Sequence, residues 1–101
     1  MLSIAVLVAI AIPIFTSQLE KSREATDAAN LRAAYAEVMT AGLSEDTANY
    51  SKHVDAKQAD DSGWANTSIG SIGEVALPTA STSGWTVAFD PDTEAVTITA
   101  D

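Results

Sequence analysis

The chain lacks cysteine altogether, has only three prolines and five glycines, and carries few positive charges. The absence of cysteine excludes disulfides, thiolate catalysis and cysteine-ligated metal sites. Among 101 residues there are 14 acidic and five basic ones, so the formal net charge is −9, and no basic residue follows Lys57. This balance argues against nucleic acid as a partner, and against anionic lipid headgroups as a partner of the second half.

Side chains in the arrangements that enzymes and metal sites use are also missing from the sequence. His53 is the only histidine; it has Asp55 nearby but no companion ligands and no nucleophile, so we expect an exposed loop residue. The segment from Asp90 to Glu94 has the alternating carboxylates of a calcium loop, but glycine is missing at the sharp turn and Pro91 is unsuited to it. We therefore expect a polar hairpin turn there, and we predict no catalytic residue, no metal and no cofactor.

The residues from Met1 to Phe15 read MLSIAVLVAIAIPIF, in which only Ser3 is polar. As a helix this run would cover about 22 Å, short of the roughly 30 Å core of a bilayer. A helix that is apolar on every side fits a membrane or a fully enclosed environment. Pro13 cannot donate a backbone hydrogen bond, so it should kink or loosen such a helix. Alternatively, Pro13 marks the start of a helix that follows a disordered leader.

From Thr16 the composition remains strongly helical, without proline, as far as the first glycine, Gly42. One long helix that ends near Gly42 is the simplest interpretation. Its second half carries apolar residues at helical spacing, namely Ala28, Leu31, Ala34, Tyr35, Val38 and Met39. Because these residues begin only near position 28, we expect the segment from Ser17 to Asp27 to have little to pack on and to protrude.

The remainder is predicted to be a loop over residues 43–72 followed by a small antiparallel sheet over residues 73–101. The segment from Gly73 to Pro78 is a candidate strand. The clearest signal is a hairpin, in which Trp85, Val87 and Phe89 alternate with smaller or polar residues before the turn that contains Pro91. The sequence thus predicts an α+β fold in which a long N-terminal helix packs the C-terminal half of its length on the sheet. The side chains expected to make this contact are Leu31, Tyr35, Val38 and Met39.

The segment from Ala9 to Phe15, AIAIPIF, and the polar helix with Leu31 and Arg32 that follows it resemble the N-terminal helix of type IV pilins and pseudopilins. The resemblance extends over roughly residues 4 to 40. It implies a pilin-like fold and a structural subunit that is held in the cytoplasmic membrane and then assembled by the pilus machinery into a helical filament. The functions implied for such a surface filament are adhesion, motility or DNA uptake.

On this interpretation the chain is divided into residues 1–27, a transmembrane and assembly half-helix with its protruding segment, and residues 28–101, the globular head. The implied location is a single pass through the cell membrane before assembly and then an extracellular pilus. Small residues in the apolar helix let neighbouring helices approach closely. The expected membrane and assembly residues are Ile4, Ala5, Val6, Leu7, Val8, Ala9, Ile10, Ala11, Ile12, Pro13, Ile14 and Phe15.

The family's processing site and the glutamate near the start of its mature chain are not found in this sequence. We therefore expect Met1 to be an internal point of a longer protein, whose upstream residues would lengthen the apolar run. Two other interpretations remain open at this point. One is a pseudopilin of a type II secretion or competence system, and the other is a membrane-tethered module that binds a ligand as a monomer.

Overall fold

A single helix, α1, runs from Leu2–Leu43 and dominates the shape of the molecule. The computed structural model describes the backbone of residues 2–101 and the side chains of residues 18–101. A helix of 42 residues is about 63 Å long at 1.5 Å per residue. This length accounts for the long dimension of the molecule, which measures 65 × 20 × 18 Å. The helix therefore extends well beyond the head that packs on its second half.

The head contains a three-stranded antiparallel sheet with the strand order β1-β2-β3. Strand β1 is Ser51–Val54, β2 is Trp85–Asp90 and β3 is Ala95–Ala100, and a short 3-10 helix, Thr47–Asn49, precedes β1. Val54 lies opposite Trp85, and Trp85 lies opposite Ala100. The predicted hairpin is confirmed, because β2 and β3 pair along their whole length on either side of the turn that contains Pro91.

The core lies between this sheet and one face of α1. Trp85 and Val87 alternate along β2 on the face that meets the helix, and both are completely buried. From the helix, Leu31 and Val38 enter the same core, while Tyr35 and Met39 are partly buried against it. The predicted α+β layout, a long helix packed on a small antiparallel sheet, is confirmed.

Two parts of the predicted head differ from the structure. The segment from Gly73 to Pro78 is not a strand; it contains one bridge, in which Ile72 and Val75 exchange two backbone hydrogen bonds of 2.9 Å. Gly73 has a φ of +59°, which turns the chain where a strand would continue. The third strand is instead β1, within the predicted loop. It is a four-residue edge strand with a single buried side chain, so it has no alternating pattern to detect.

The expected location in the membrane is wrong. Within the part of the chain that the structure describes, no helix is long and apolar enough to cross a membrane. In α1, charged residues begin at Glu20 and Lys21 and interrupt the hydrophobic character. A single-pass segment, and the route from membrane to extracellular pilus that depended on it, are therefore not supported.

Candidate functional site

The face of α1 that packs on the head is longer than its apolar residues indicate. Glu20, Glu24 and Asp27 precede Leu31 at intervals of three or four residues, which places them on the same side of the helix. Glu24 and Asp27 are completely buried. We call Glu20, Glu24 and Asp27 the carboxylate ladder. The packed face of α1 thus begins about two turns before the first apolar residue that faces the sheet.

Backbone N–H groups of the long loop donate hydrogen bonds to each member of the carboxylate ladder. The Glu24 carboxylate accepts the N–H groups of Ala65 at 2.8 Å and Asn66 at 2.6 Å. The Asp27 carboxylate accepts those of Lys57 at 2.8 Å and Gln58 at 3.0 Å. Glu20 accepts that of Ala59 at 3.1 Å and 3.2 Å through its two oxygens. The ladder therefore fixes the loop to the helix and provides acceptors for backbone N–H groups of a segment without regular structure.

The part of the predicted protruding segment from Glu20 to Asp27 therefore does have a packing partner, contrary to the sequence-based expectation. The sequence feature that could have indicated this packing is the helical spacing of the three carboxylates, which continues the side of the helix that bears Leu31. Acidic side chains on a helix usually mark the solvated face, because burying a carboxylate is costly unless donors surround it. Here the donors come from residues thirty or more positions away, whose placement the local sequence does not reveal.

Asp27 should titrate at a higher pH than an ordinary aspartate. Burial raises the pKa of the Asp27 carboxyl above its usual 3.8, and this effect outweighs the hydrogen bonds from Lys57 and Gln58, which act to lower the pKa. The folded chain then holds this proton more tightly than the unfolded chain. The contribution of Asp27 to stability should consequently grow as the pH falls through the folded-state pKa towards 3.8.

A carbon-13 NMR titration of the Asp27 carboxyl tests this prediction directly. We expect a midpoint above 3.8 in the folded chain. The free energy of unfolding of the native chain, relative to that of Asp27→Asn, should rise on acidification over the same pH range. A midpoint at or below 3.8 would mean that the two backbone hydrogen bonds dominate.

The opposite side of α1 has a different character and faces solvent. Many of its exposed residues are small, and we call these the outer face: Ser22, Ala25, Thr26, Ala29, Ala33, Ala36 and Thr40. Gln18, Asn30, Arg32 and Glu37 are exposed on the same side or at its borders. The hydroxyl of Thr26 donates to the Ser22 carbonyl at 3.1 Å, and that of Thr40 donates to the Ala36 carbonyl at 2.8 Å. The outer face thus offers a second helix a shallow surface with few groups to desolvate, so the two axes could approach closely.

The residues that the sequence singled out lie as follows. The side chains of Ile4 to Phe15 are outside the described ones, and only the helical backbone is described there. Leu31 and Val38 are buried in the core, with Tyr35 and Met39 beside them. The predicted assembly and packing residues are therefore on one continuous helix, which bears the outer face on its exposed side.

His53 and the segment from Asp90 to Glu94 were the other residues considered. His53 lies in β1, not in a loop; its Nδ1 is 2.8 Å from the Asp101 carboxylate and its Nε2 is 3.1 Å from that of Asp55. Asp90 ends β2, and the residues after it form the turn before β3. Over residues whose side chains are described, no group of three or more histidine, cysteine, aspartate or glutamate side chains could hold a metal ion.

Comparisons with protein-family models, with curated proteins and with solved structures produced no match to this chain. The pilin identity accordingly stays a prediction that rests on the sequence of the helix.

Proposed function

We propose that this chain is a structural, non-catalytic subunit of a filament of the type IV pilin kind, polymerising with copies of itself through α1. The observation that carries this proposal is the outer face. Seven exposed positions on one side of the helix between Ser22 and Thr40 hold alanine, serine or threonine, and the larger exposed residues Asn30, Arg32 and Glu37 border them. On the other side, the head covers the same helix, so the two sides of α1 have separate roles.

The extent of the helix supports the same role. Among the described side chains of α1, Glu20 is the first that accepts a hydrogen bond from the head, through the N–H of Ala59, and the 18 helical residues before it cover about 27 Å. Fourteen of these 18 residues are apolar in the sequence. A helical segment of this composition needs a partner that removes it from water. Neighbouring copies of the same helix provide one, as in the family that the sequence resembles.

The polarity of this association would be head-to-tail. The apolar extension lies at one end of the helix and the head at the other. A second copy whose extension packs along the outer face of the first must therefore be displaced along the helix axis. Such a contact joins two different surfaces and does not close on itself, which produces an open polymer. The heads would lie on the outside of this polymer, and their acidic surfaces would keep it soluble.

Ala33→Glu should abolish or strongly reduce polymerisation, because it puts a charge in the middle of the outer face. Burying an uncompensated carboxylate between helices is costly, and we expect at least a tenfold fall in the amount of polymer. The matched control is Ala95→Glu, which makes the same change at an exposed position of β3. The measurement is sedimentation together with electron microscopy of the full chain after removal of detergent.

Both variants should remain folded, because each position is exposed, and circular dichroism with thermal unfolding checks this point. The proposal is supported if the native chain and Ala95→Glu form filaments and Ala33→Glu does not. Equal polymerisation of the two variants, or a native chain that stays dispersed, would contradict it.

A further inference from the structure

An apolar groove lies at the end of the head farthest from the N-terminal extension. Its lining residues come from the end of α1, from the segment before β1 and from the β2–β3 hairpin. They are Met39, Gly42, Leu43, Tyr50, Phe89 and Pro91. We call this the tip groove. Its volume is about 410 Å³. Among the described residues, two large apolar side chains are exposed, and Leu43 in this lining is the more exposed of them, at 84%.

Two glutamates, Glu45 and Glu94, complete the lining of the tip groove. Their φ angles are +57° and +56°, which is the left-handed region that glycine and asparagine favour. Glutamate gains nothing locally from this conformation and is held there at a cost. The chain therefore keeps two carboxylates on strained backbone at the edges of one apolar groove.

The electrostatics of the tip groove select a cationic partner. Among the described residues that line it there is no lysine, arginine or histidine. The C-terminal end of α1 adds the partial negative charge of the helix dipole. An occupant must therefore combine an apolar side chain with a positive charge.

The chain itself carries one such segment on its described surface. Leu19 is the second exposed large apolar side chain, at 38%, and Arg23 lies one helical turn further along the same side of α1. The Arg23 side chain is 39% exposed and is only 3.5 Å from Glu20, whose oxygens also accept the N–H of Ala59. Its guanidinium thus has donors available for another carboxylate.

Two other cations of the chain already have partners. Arg32 donates to the carbonyl of Ile69 at 2.7 Å, and Lys52 is paired with Glu37. With a net charge of −9, copies of this chain repel one another unless the few available cations meet carboxylates of a neighbour. Arg23 beside Leu19 meets this requirement together with the apolar one.

We infer that the tip groove of one copy receives Leu19 and Arg23 of a second copy, with Arg23 facing Glu45 and Glu94. This inference rests on the proposed filament and adds a specific contact to it. Leu19 and Leu43 are 24 positions apart on one helix, so parallel copies joined in this way are offset by about 36 Å along the axis. The two sites point about 120° apart around the helix, at 100° per residue, so each copy engages two different neighbours.

A charge exchange tests the contact in the full chain. Glu45→Arg with Glu94→Arg should raise the concentration at which half of the protein is polymerised by about tenfold, since two attractive pairs become repulsive. Adding Arg23→Glu to this variant should bring the value back to within about threefold of the native chain. Leu43→Ser should raise it by a similar factor, while the exposure of Leu43 predicts unchanged thermal stability.

Asp92→Arg is the matched control for Glu94→Arg alone, because it also reverses one charge in the same hairpin turn but lies outside the groove lining. It should alter the concentration at which half of the protein is polymerised by less than about twofold. Electron microscopy of the native polymer should show neighbouring copies offset by about 36 Å.

The outcomes separate this contact from the proposed function. A polymer that forms normally but responds equally to Asp92→Arg and to Glu94→Arg would overturn the contact and leave the filament intact. Failure of Arg23→Glu to restore polymerisation would likewise overturn it. A native chain that remains dispersed would overturn both.

Discussion

Replacing Trp85 with alanine should lower the free energy of unfolding by about 4 kcal/mol, the largest loss we expect from one substitution. Trp85 is completely buried and stacks on Trp64 with ring centroids 5.9 Å apart and an interplanar angle of 19°. Its indole N–H donates to the Thr79 carbonyl at 2.8 Å. The change leaves a cavity between sheet and helix, removes the stacking and leaves that carbonyl without its donor.

The measurement is urea unfolding of the native chain and of Trp85→Ala, followed by circular dichroism. Trp64→Ala is the control, because Trp64 is only partly buried and should cost about half as much. A small domain has a total stability of roughly 5 to 15 kcal/mol, so a loss of this size is a large fraction of the whole and should be visible as a lower urea midpoint. A loss below about 1 kcal/mol would show that Trp85 is not central to the core.

Removing the Glu24 carboxylate should cost about 3 kcal/mol, although the residue is acidic and lies on a helix. Glu24→Ala leaves the N–H groups of Ala65 and Asn66, now at 2.8 Å and 2.6 Å from its oxygens, without acceptors. Hydrogen bonds to a charged acceptor are each stronger than neutral ones, and unpaired buried donors bear the full cost of desolvation. Hydrogen exchange at Ala65 and Asn66 should accelerate in parallel.

Two further variants make this second experiment specific. Glu37→Ala removes an exposed glutamate of the same helix that pairs with Lys52, and it should cost at most about 1 kcal/mol. Glu24→Gln should fall between the two, because the amide oxygen can accept one N–H while its NH₂ group faces the other. Equal losses for Glu24→Ala and Glu37→Ala would show that the carboxylate ladder does not stabilise the head.

The sequence is most informative where side chains alternate or recur on one face of a regular element. The hairpin of β2 and β3 follows from the alternation of Trp85, Val87 and Phe89, and the packed face of α1 follows from Leu31 and Val38. The apolar surface of these residues drives their burial, and it also produces the pattern by which the sequence predicts them.

The features that the sequence did not reveal depend on polar residues and distant partners. Strand β1 is an edge strand in which three of four side chains are exposed, so hydrogen bonds to β2 define it and hydrophobicity does not. The burial of Glu24 and Asp27 depends on N–H groups from a loop that has no regular structure. The outer face is defined by the position of the head, which covers the opposite side of α1, and the sequence of the helix does not give that position.

The most direct test of assembly through α1 is the accessibility of the outer face before and after polymerisation. The chain has no cysteine, so Ala33→Cys and Ala95→Cys each introduce a single thiol that a maleimide can label. Both should react rapidly in dispersed protein, because both positions are exposed. In the polymer, the thiol at position 33 should be protected and the thiol at position 95 should react as before. Equal reactivity of both thiols in the polymer would contradict assembly through α1.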